Sequence, residues 1–292
     1  MKTSSSLRSL LAGCLIALGL SSSASAELIY GIAAVGNATN LLSWDSATPA
    51  NLFAPQFVTG LQNNETIVGI DFRPATNQLY ALGSSSRLYT LNTATAAATP
   101  VGGVNNQFST LLSGFSFGFD FNPNIDRIRV VSDADQNLVL DPDTGAVQTV
   151  ATPLAYATTP PFPNVVHSAY DFGNPTQLYG IDTGLDTLVQ QANNAGTLTT
   201  VGIGLGGNFS AAGGFDISRL TGIAYAALQR STESQSSLHT IDLTTGLATE
   251  IGQIDGGLVI TAMAVNAIPE PATAALAAAG LLAGVLVRRR NG

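Results

Sequence analysis

Thr66-Ile-Val-Gly-Ile-Asp-Phe72, Gln78-Leu-Tyr-Ala-Leu82, Arg87-Leu-Tyr-Thr-Leu91 and Thr99-Pro-Val-Gly102 are four short apolar runs in quick succession. Arg73-Pro74, Gly83 to Ser86 and Asn92 to Ala96 separate them. Runs of this length, rich in β-branched and aromatic residues and broken by Gly, Pro, Asn and Ser, predict antiparallel strands joined by hairpins. Four such strands in about 50 residues match one blade of a β-propeller.

The unit recurs. Trp44-Asp-Ser-Ala-Thr-Pro49, Leu91-Asn-Thr-Ala-Thr-Ala96, Leu140-Asp-Pro-Asp-Thr-Gly145, Gln191-Ala-Asn-Asn-Ala-Gly196 and Ile241-Asp-Leu-Thr-Thr-Gly246 are five copies of one turn, with first residues 47, 49, 51 and 50 positions apart. A fixed period of this size signals stacked units, each unable to bury its apolar face alone. Gly118-Phe-Asp-Phe121, Ala169-Tyr-Asp-Phe172 and Gly214-Phe-Asp-Ile217 align with Gly69-Ile-Asp-Phe72 as first strands. The first unit opens at Leu28-Ile-Tyr-Gly31, which resembles a second strand, and Val259-Ile-Thr-Ala-Met-Ala-Val265 supplies a first strand with nothing after it. Pairing the two closes a ring and hides two sheet edges. The expected fold is therefore all-β: a β-propeller of five four-stranded blades, the first blade closed by the C-terminal strand. An open β-solenoid or a pair of sandwiches is the alternative. No segment of the mature chain shows strong helical periodicity.

The chain ends read as addresses. Residues 1–26 form a signal peptide: Lys2 and Arg8 begin it, Leu10 to Leu20 is apolar, and Ala24-Ser-Ala26 offers small residues for cleavage. Leu11-Ala-Gly-Cys14 has the form of a lipobox, but the apolar run continues past Cys14, which favours cleavage after Ala26. At the other end, residues 269–292 hold Pro269-Glu270-Pro271, an uncharged run from Ala272 to Val287, and Arg288, Arg289 and Arg290. As a helix, the 16-residue run (272–287) spans ~24 Å against a hydrocarbon core of ~30 Å, a marginal transmembrane segment. The arginines should keep their end cytoplasmic while the rest is exported.

These three features, in this order, resemble the PEP-CTERM sorting signal of Gram-negative bacteria. The resemblance implies recognition by an exosortase-type membrane enzyme, transient anchoring in the inner membrane, delivery to the cell surface or extracellular matrix, and association with exopolysaccharide. The repeat region, residues 27–268, is similar to a family of exported bacterial domains of unknown function, which brings no activity with it.

Composition agrees with export. Between Glu27 and Asp255, 18 acidic residues face only six arginines and no lysine, a mature net charge of −12. Binding of a phosphate backbone rests on clustered Lys and Arg, so a nucleic-acid partner is disfavoured. The single cysteine, Cys14, lies in the signal, which leaves the mature domain without disulfides, thiolate chemistry or cysteine-bound metal.

Several residue groups are candidates for chemistry. Asp71, Asp120, Asp171 and Asp216 align at one position in four units, with Met263 in the fifth. Facing a central channel, they would form a cation site or an acid/base set. Regular recurrence favours a structural role instead, each aspartate accepting backbone N–H groups in its own blade. Asp133, Asp135, Asn137, Asp141 and Asp143 have the opening spacing of a calcium loop, but Leu138 and Thr144 stand where its glycine and final glutamate belong. Calcium is thus the one cofactor the residues suggest, and a solvated hairpin loop is the competing reading. Gly114-Phe-Ser-Phe-Gly118 has the pattern of a nucleophile elbow without the helix that motif needs, and His167 and His239 fall in different units. Phe53, Phe57, Phe108, Tyr156 and Phe162 are loop aromatics suited to stacking on sugars or to capping the core. Residues 151–165, with Pro153, Pro160, Pro161 and Pro163, form the longest irregular stretch and the best candidate for a functional loop. These features predict a non-catalytic binding or structural protein of the extracellular polysaccharide layer. The alternative is a carbohydrate-active hydrolase or lyase with carboxylates on one propeller face, distinguished by two carboxylates ~5–10 Å apart in a cleft.

Overall fold

The computed structural model describes residues 26–36, 38–158 and 162–266. The C-terminal sorting segment and all of the signal peptide except Ala26 lie outside the described residues. Five antiparallel sheets stand round a central channel. The second blade runs from the channel outward as Ile67–Phe72, Leu79–Gly83, Arg87–Leu91 and Ala98–Pro100. The third is Phe117–Asn122, Arg127–Ser132, Asn137–Leu140 and Val147–Val150, and the fifth is Phe209–Ile217, Ala224–Arg230, Ser237–Ile241 and Ala248–Gln253. The fourth is Val165–Tyr170, Leu178–Asp182, Thr187–Gln191 and Thr197–Val201, with Ala155–Tyr156 added in parallel at its outer edge. In the first blade, Ile260–Asn266 is innermost and pairs antiparallel with Leu28–Val35, followed by Ala38–Asp45 and Gln56–Phe57. The five inner strands touch one another in a closed ring. Among the described residues, no helix is long and apolar enough to cross a membrane.

Each blade shows both faces to neighbours, so the core is a set of five seams. Ile70 and Phe72 pack with Ile32 and Leu41 between the first and second blades. Phe119 and Phe121 pack with Tyr80 and Leu82 in the next seam, and Trp44 packs with Tyr225 and Met263 where the fifth blade meets the first. This two-sided burial explains why the inner strands read as continuous apolar runs rather than as alternating ones.

The recurring turn has a local cause. The carboxylate of Asp141 accepts the N–H groups of Asp143 and Thr144, and that of Asp242 accepts those of Thr244 and Thr245. Gly145 and Gly246 then take φ of 70° and 76°, a left-handed conformation that favours glycine. Asn92 does the same for Ala94 and Thr95, with Ala96 left-handed at φ 53°, so an Asx turn closed by a left-handed residue is what these three copies of the motif encode.

The structure corrects the register in two blades. Asp71, Asp120 and Asp216 lie opposite Tyr80, Arg129 and Tyr225 in the neighbouring strand. The fourth blade places Ala169, not Asp171, at that position, opposite Tyr179. Its first hairpin is one residue longer, and Asp171 sits in the turn, accepting the N–H of Gly173. In the first blade the equivalent residue is Ala264, opposite Tyr30, not Met263.

Candidate functional site: the central channel

At the end of the channel where the inner strands finish, three carboxyls converge. One oxygen each of Asp71, Asp120 and Asp216 lies within 4.8 Å of the others, and all three side chains are buried. Each reaches across a seam. Asp71 accepts the N–H of Phe121 at 2.7 Å, Asp120 that of Tyr170 at 2.8 Å, and Asp216 that of Val265 at 2.6 Å. Asp71 also accepts the N–H of Phe72 in its own blade, at 2.6 Å. The aspartates therefore staple neighbouring blades, and Asp71 braces its own strand end as well. Burial, then the charge of Asp216, pushes the Asp71 carboxyl well above its usual range. Burial, then Asp71 and Asp216, does the same to Asp120, and burial lifts Asp216 to about 7.

Above the aspartates the inner strands approach too closely for side chains. A Cβ added at Gly69 would stand 2.5 Å from the Cβ of Phe119, and one at Gly214 would stand 2.3 Å from the backbone N of Met263. The corrected register places His167 at this glycine position in the fourth blade and Ala262 in the first. His167 is thus the one bulky residue at this level. Its Nε2 is buried without a hydrogen-bond partner, as is the Oγ of Ser168 beside it. Burial lowers the His167 pKa to about 4, so the imidazole is neutral at physiological pH.

Where the inner strands begin, the channel widens to a cavity of about 300 Å³. Ile32, Ala33, Ile67, Val68, Phe117, Val166, Ala211 and Ala212 form its walls, and His167 lies at its base. Thr39, Thr66, Ser116 and Thr261 add hydroxyls, and Phe115 stands at the rim, 92% exposed. Among the described residues, no Asp, Glu, Lys or Arg lines it. Ser116 and His167 share this cavity, yet among the described residues no hydrogen bond joins them and no acid orients the imidazole. A serine nucleophile needs both.

The other candidates are dispersed. Strand Asn137–Leu140 separates the two halves of the calcium-like motif, by roughly 13 Å at ~3.3 Å per residue. Asp133 accepts the N–H of Phe115, and Asp135 is half-buried in the turn before Asn137. Asn137 is saturated by Arg129, Thr152 and Asn193. Asp141 holds its own turn and pairs with Arg127, and Asp143 pairs with Arg73 at 2.6 Å. These five residues do not form a common shell. Adding about 5 mM calcium is expected to leave the melting temperature unchanged, whereas a ~0.5 mM site would add ~1.4 kcal/mol and shift it by several degrees. Differential scanning fluorimetry with and without chelator reads the difference.

Among the loop aromatics, Phe108 is 3% exposed and packs beside Phe117, a core residue rather than a contact surface. Tyr156 is half-buried and donates to Asp182 at 2.7 Å, which ties the stretch 151–165 to the fourth blade. Phe53, Phe57 and Phe162 are exposed.

The fold and channel define a β-propeller with a ligand-sized cavity at one mouth. Residues 40–264 match the family described as Domain of unknown function (DUF4394), and the chain belongs to that family. Residues 267–290 match the PEP-CTERM protein-sorting motif, which marks an exported protein handled by an exosortase-type system and transiently anchored in the membrane. Among solved structures, a structural-genomics protein of unknown function from Bacteroides thetaiotaomicron is similar, with 18% identity and a TM-score of 0.50. The match covers 80% of this chain and 60% of that one, and it bears on the fold alone. TolB from Acinetobacter baumannii matches at 15% identity and a TM-score of 0.46, over 78% of this chain and 53% of that one. The chain thus spans little more than half the length of these two proteins. No curated protein matches it.

Proposed function

We propose that this protein is a non-catalytic binding or structural component of the extracellular polysaccharide layer. The observation that carries the reading is the chemistry of the channel. Its ligand-sized cavity has no charged group, and its acidic cluster is buried with its oxygens engaged across blade seams. A glycosidase needs two carboxylates facing a cleft that admits substrate and water, about 5–10 Å apart. The three aspartates are buried below the glycine level of the channel, apart from the cavity, which speaks against the hydrolase or lyase alternative.

Chain direction supports a role in presentation. Leu28 and Asn266 are paired at the aspartate end of the first blade. Only residues 267–271 separate Asn266 from the apolar run, at most ~18 Å of extended chain. During anchoring, the aspartate face therefore lies toward the membrane and the cavity mouth away from it. Exposed Phe53, Phe57 and Phe162 offer faces for sugar stacking, and the net charge of −12 favours neutral over acidic glycans.

A glycan-array screen of the exported protein tests this reading. The expected result is binding to neutral polysaccharides that weakens when Phe57 and Phe162 are replaced by Ala. A blank array, or release of shortened products from a bound glycan, would overturn it.

A further inference from the structure

At the glycine level of the channel one blade carries a bulky side chain, and it lies directly under the cavity. Three blades put glycine at the level where the fourth puts His167. A Cβ added at Gly213 would stand 3.0 Å from the imidazole Nε2, so the ring crosses the space between the fourth and fifth blades. Structural repetition explains the glycines, and it does not explain a histidine among them. The ring also carries a cost. Among the described residues Nε2 is buried with no protein partner, and leaving a buried polar atom unsatisfied is destabilising. Both His167 and Ser168 line a neck of about 10 Å³ below the cavity, roughly the space of one water or one polar head group.

We propose that the cavity and its neck form a binding site for a small, uncharged, largely apolar molecule bearing one hydrogen-bonding group. The apolar body lies among Ile32, Ile67, Val68, Phe117, Val166 and Ala212, and the polar group enters the neck beside His167. A charged ligand would be stripped of water with no counter-charge in the walls. A bare sugar carries more hydroxyls than these walls can satisfy. A volume near 300 Å³ is at the small end of ligand cavities, ~300–1,000 Å³, which limits the occupant to a compact molecule or a single apolar substituent. The inference rests on the binding-protein reading above but not on its glycan.

The test is a fluorescence titration of the exported protein with N-phenyl-1-naphthylamine, an uncharged apolar probe with one N–H. Saturable binding of one probe per chain is expected, weakened at least tenfold by Ala212→Phe, which fills the cavity from a half-buried position. In competition, 4-phenyl-1-butanol should displace the probe at severalfold lower concentration than butylbenzene, and His167→Leu should bring that ratio close to one. Absence of saturable binding to the wild type overturns the site. So does unchanged binding in an Ala212→Phe variant that melts normally. Should that variant fail to fold, Thr261→Trp at the exposed rim is read in the same way. Equal displacement by the alcohol and the hydrocarbon overturns the polar neck. Probe binding with a blank glycan array removes the polysaccharide reading and keeps this one, and glycan binding without probe binding does the reverse.

Discussion

Truncation after Gly257 is expected to abolish the soluble fold, whereas truncation after residue 268 leaves it intact. The shorter chain loses Ile260–Asn266, the inner strand of the first blade. That strand buries Ile260, Met263 and Val265, each contributing ~1.5–3 kcal/mol, so the three together supply roughly 5–9 kcal/mol. Domain stability as a whole is only about 5–15 kcal/mol. Its removal also leaves the inner edge of Leu28–Val35 unpaired and takes away the Val265 N–H that Asp216 accepts, stranding a buried carboxyl. Soluble yield and thermal melting of the two truncations measure the effect. A Gly257 truncation that melts like the longer chain would disprove closure by this strand.

The second large effect concerns pH. The Asp216 carboxyl titrates near 7 in the fold against 3.8 as its ordinary value, so the folded state binds its proton more tightly than the unfolded chain does. A carboxyl raised in this way favours folding most below pH ~4, and its contribution is lost as pH rises through about 7. The size for this one buried group is about 4 kcal/mol, from ~1.4 kcal/mol per pH unit. Asp71 and Asp120 shift in the same direction. Melting should therefore fall by roughly 10 °C between pH 5 and pH 8 for a chain of this size. Asp216→Asn keeps an acceptor for the Val265 N–H and carries no charge, so it should remove the Asp216 share of that slope. Stability rising from pH 5 to pH 8 would instead mean that a cation sits among the three carboxylates, because metal binding requires them deprotonated.

The blade plan was legible because it is encoded locally. Asp141 to Gly145 and Asp242 to Gly246 each contain both the side chain that caps the turn and the residue that takes the left-handed conformation. Closure was legible from what the first unit lacks, since a five-blade ring leaves Ile260–Asn266 only one place to pair. The channel was not legible in the same way. Ala169-Tyr-Asp-Phe172 imitates Gly-x-Asp-x in sequence, and the match concealed a hairpin one residue longer. Tyr179, aligned with Tyr80 and Tyr225, was the signal that would have placed Ala169 and His167 correctly. The spacing of the calcium-like motif carries no spatial information for a related reason. Eleven consecutive residues that include a strand place their two ends at opposite rims of a blade.

The sequence by itself determined the strand count, the ring and the sorting signal, because turns, apolar runs and terminal motifs are written in neighbouring residues. Tertiary structure alone decided that three aspartates share one buried cluster, that Asp171 does not join them, and that His167 stands in a ring of glycines beneath an uncharged cavity. Those facts depend on strand register and on the distance between inner strands about 50 residues apart in sequence. A one-residue slip in register turns a side chain to the opposite face, and no local pattern records it.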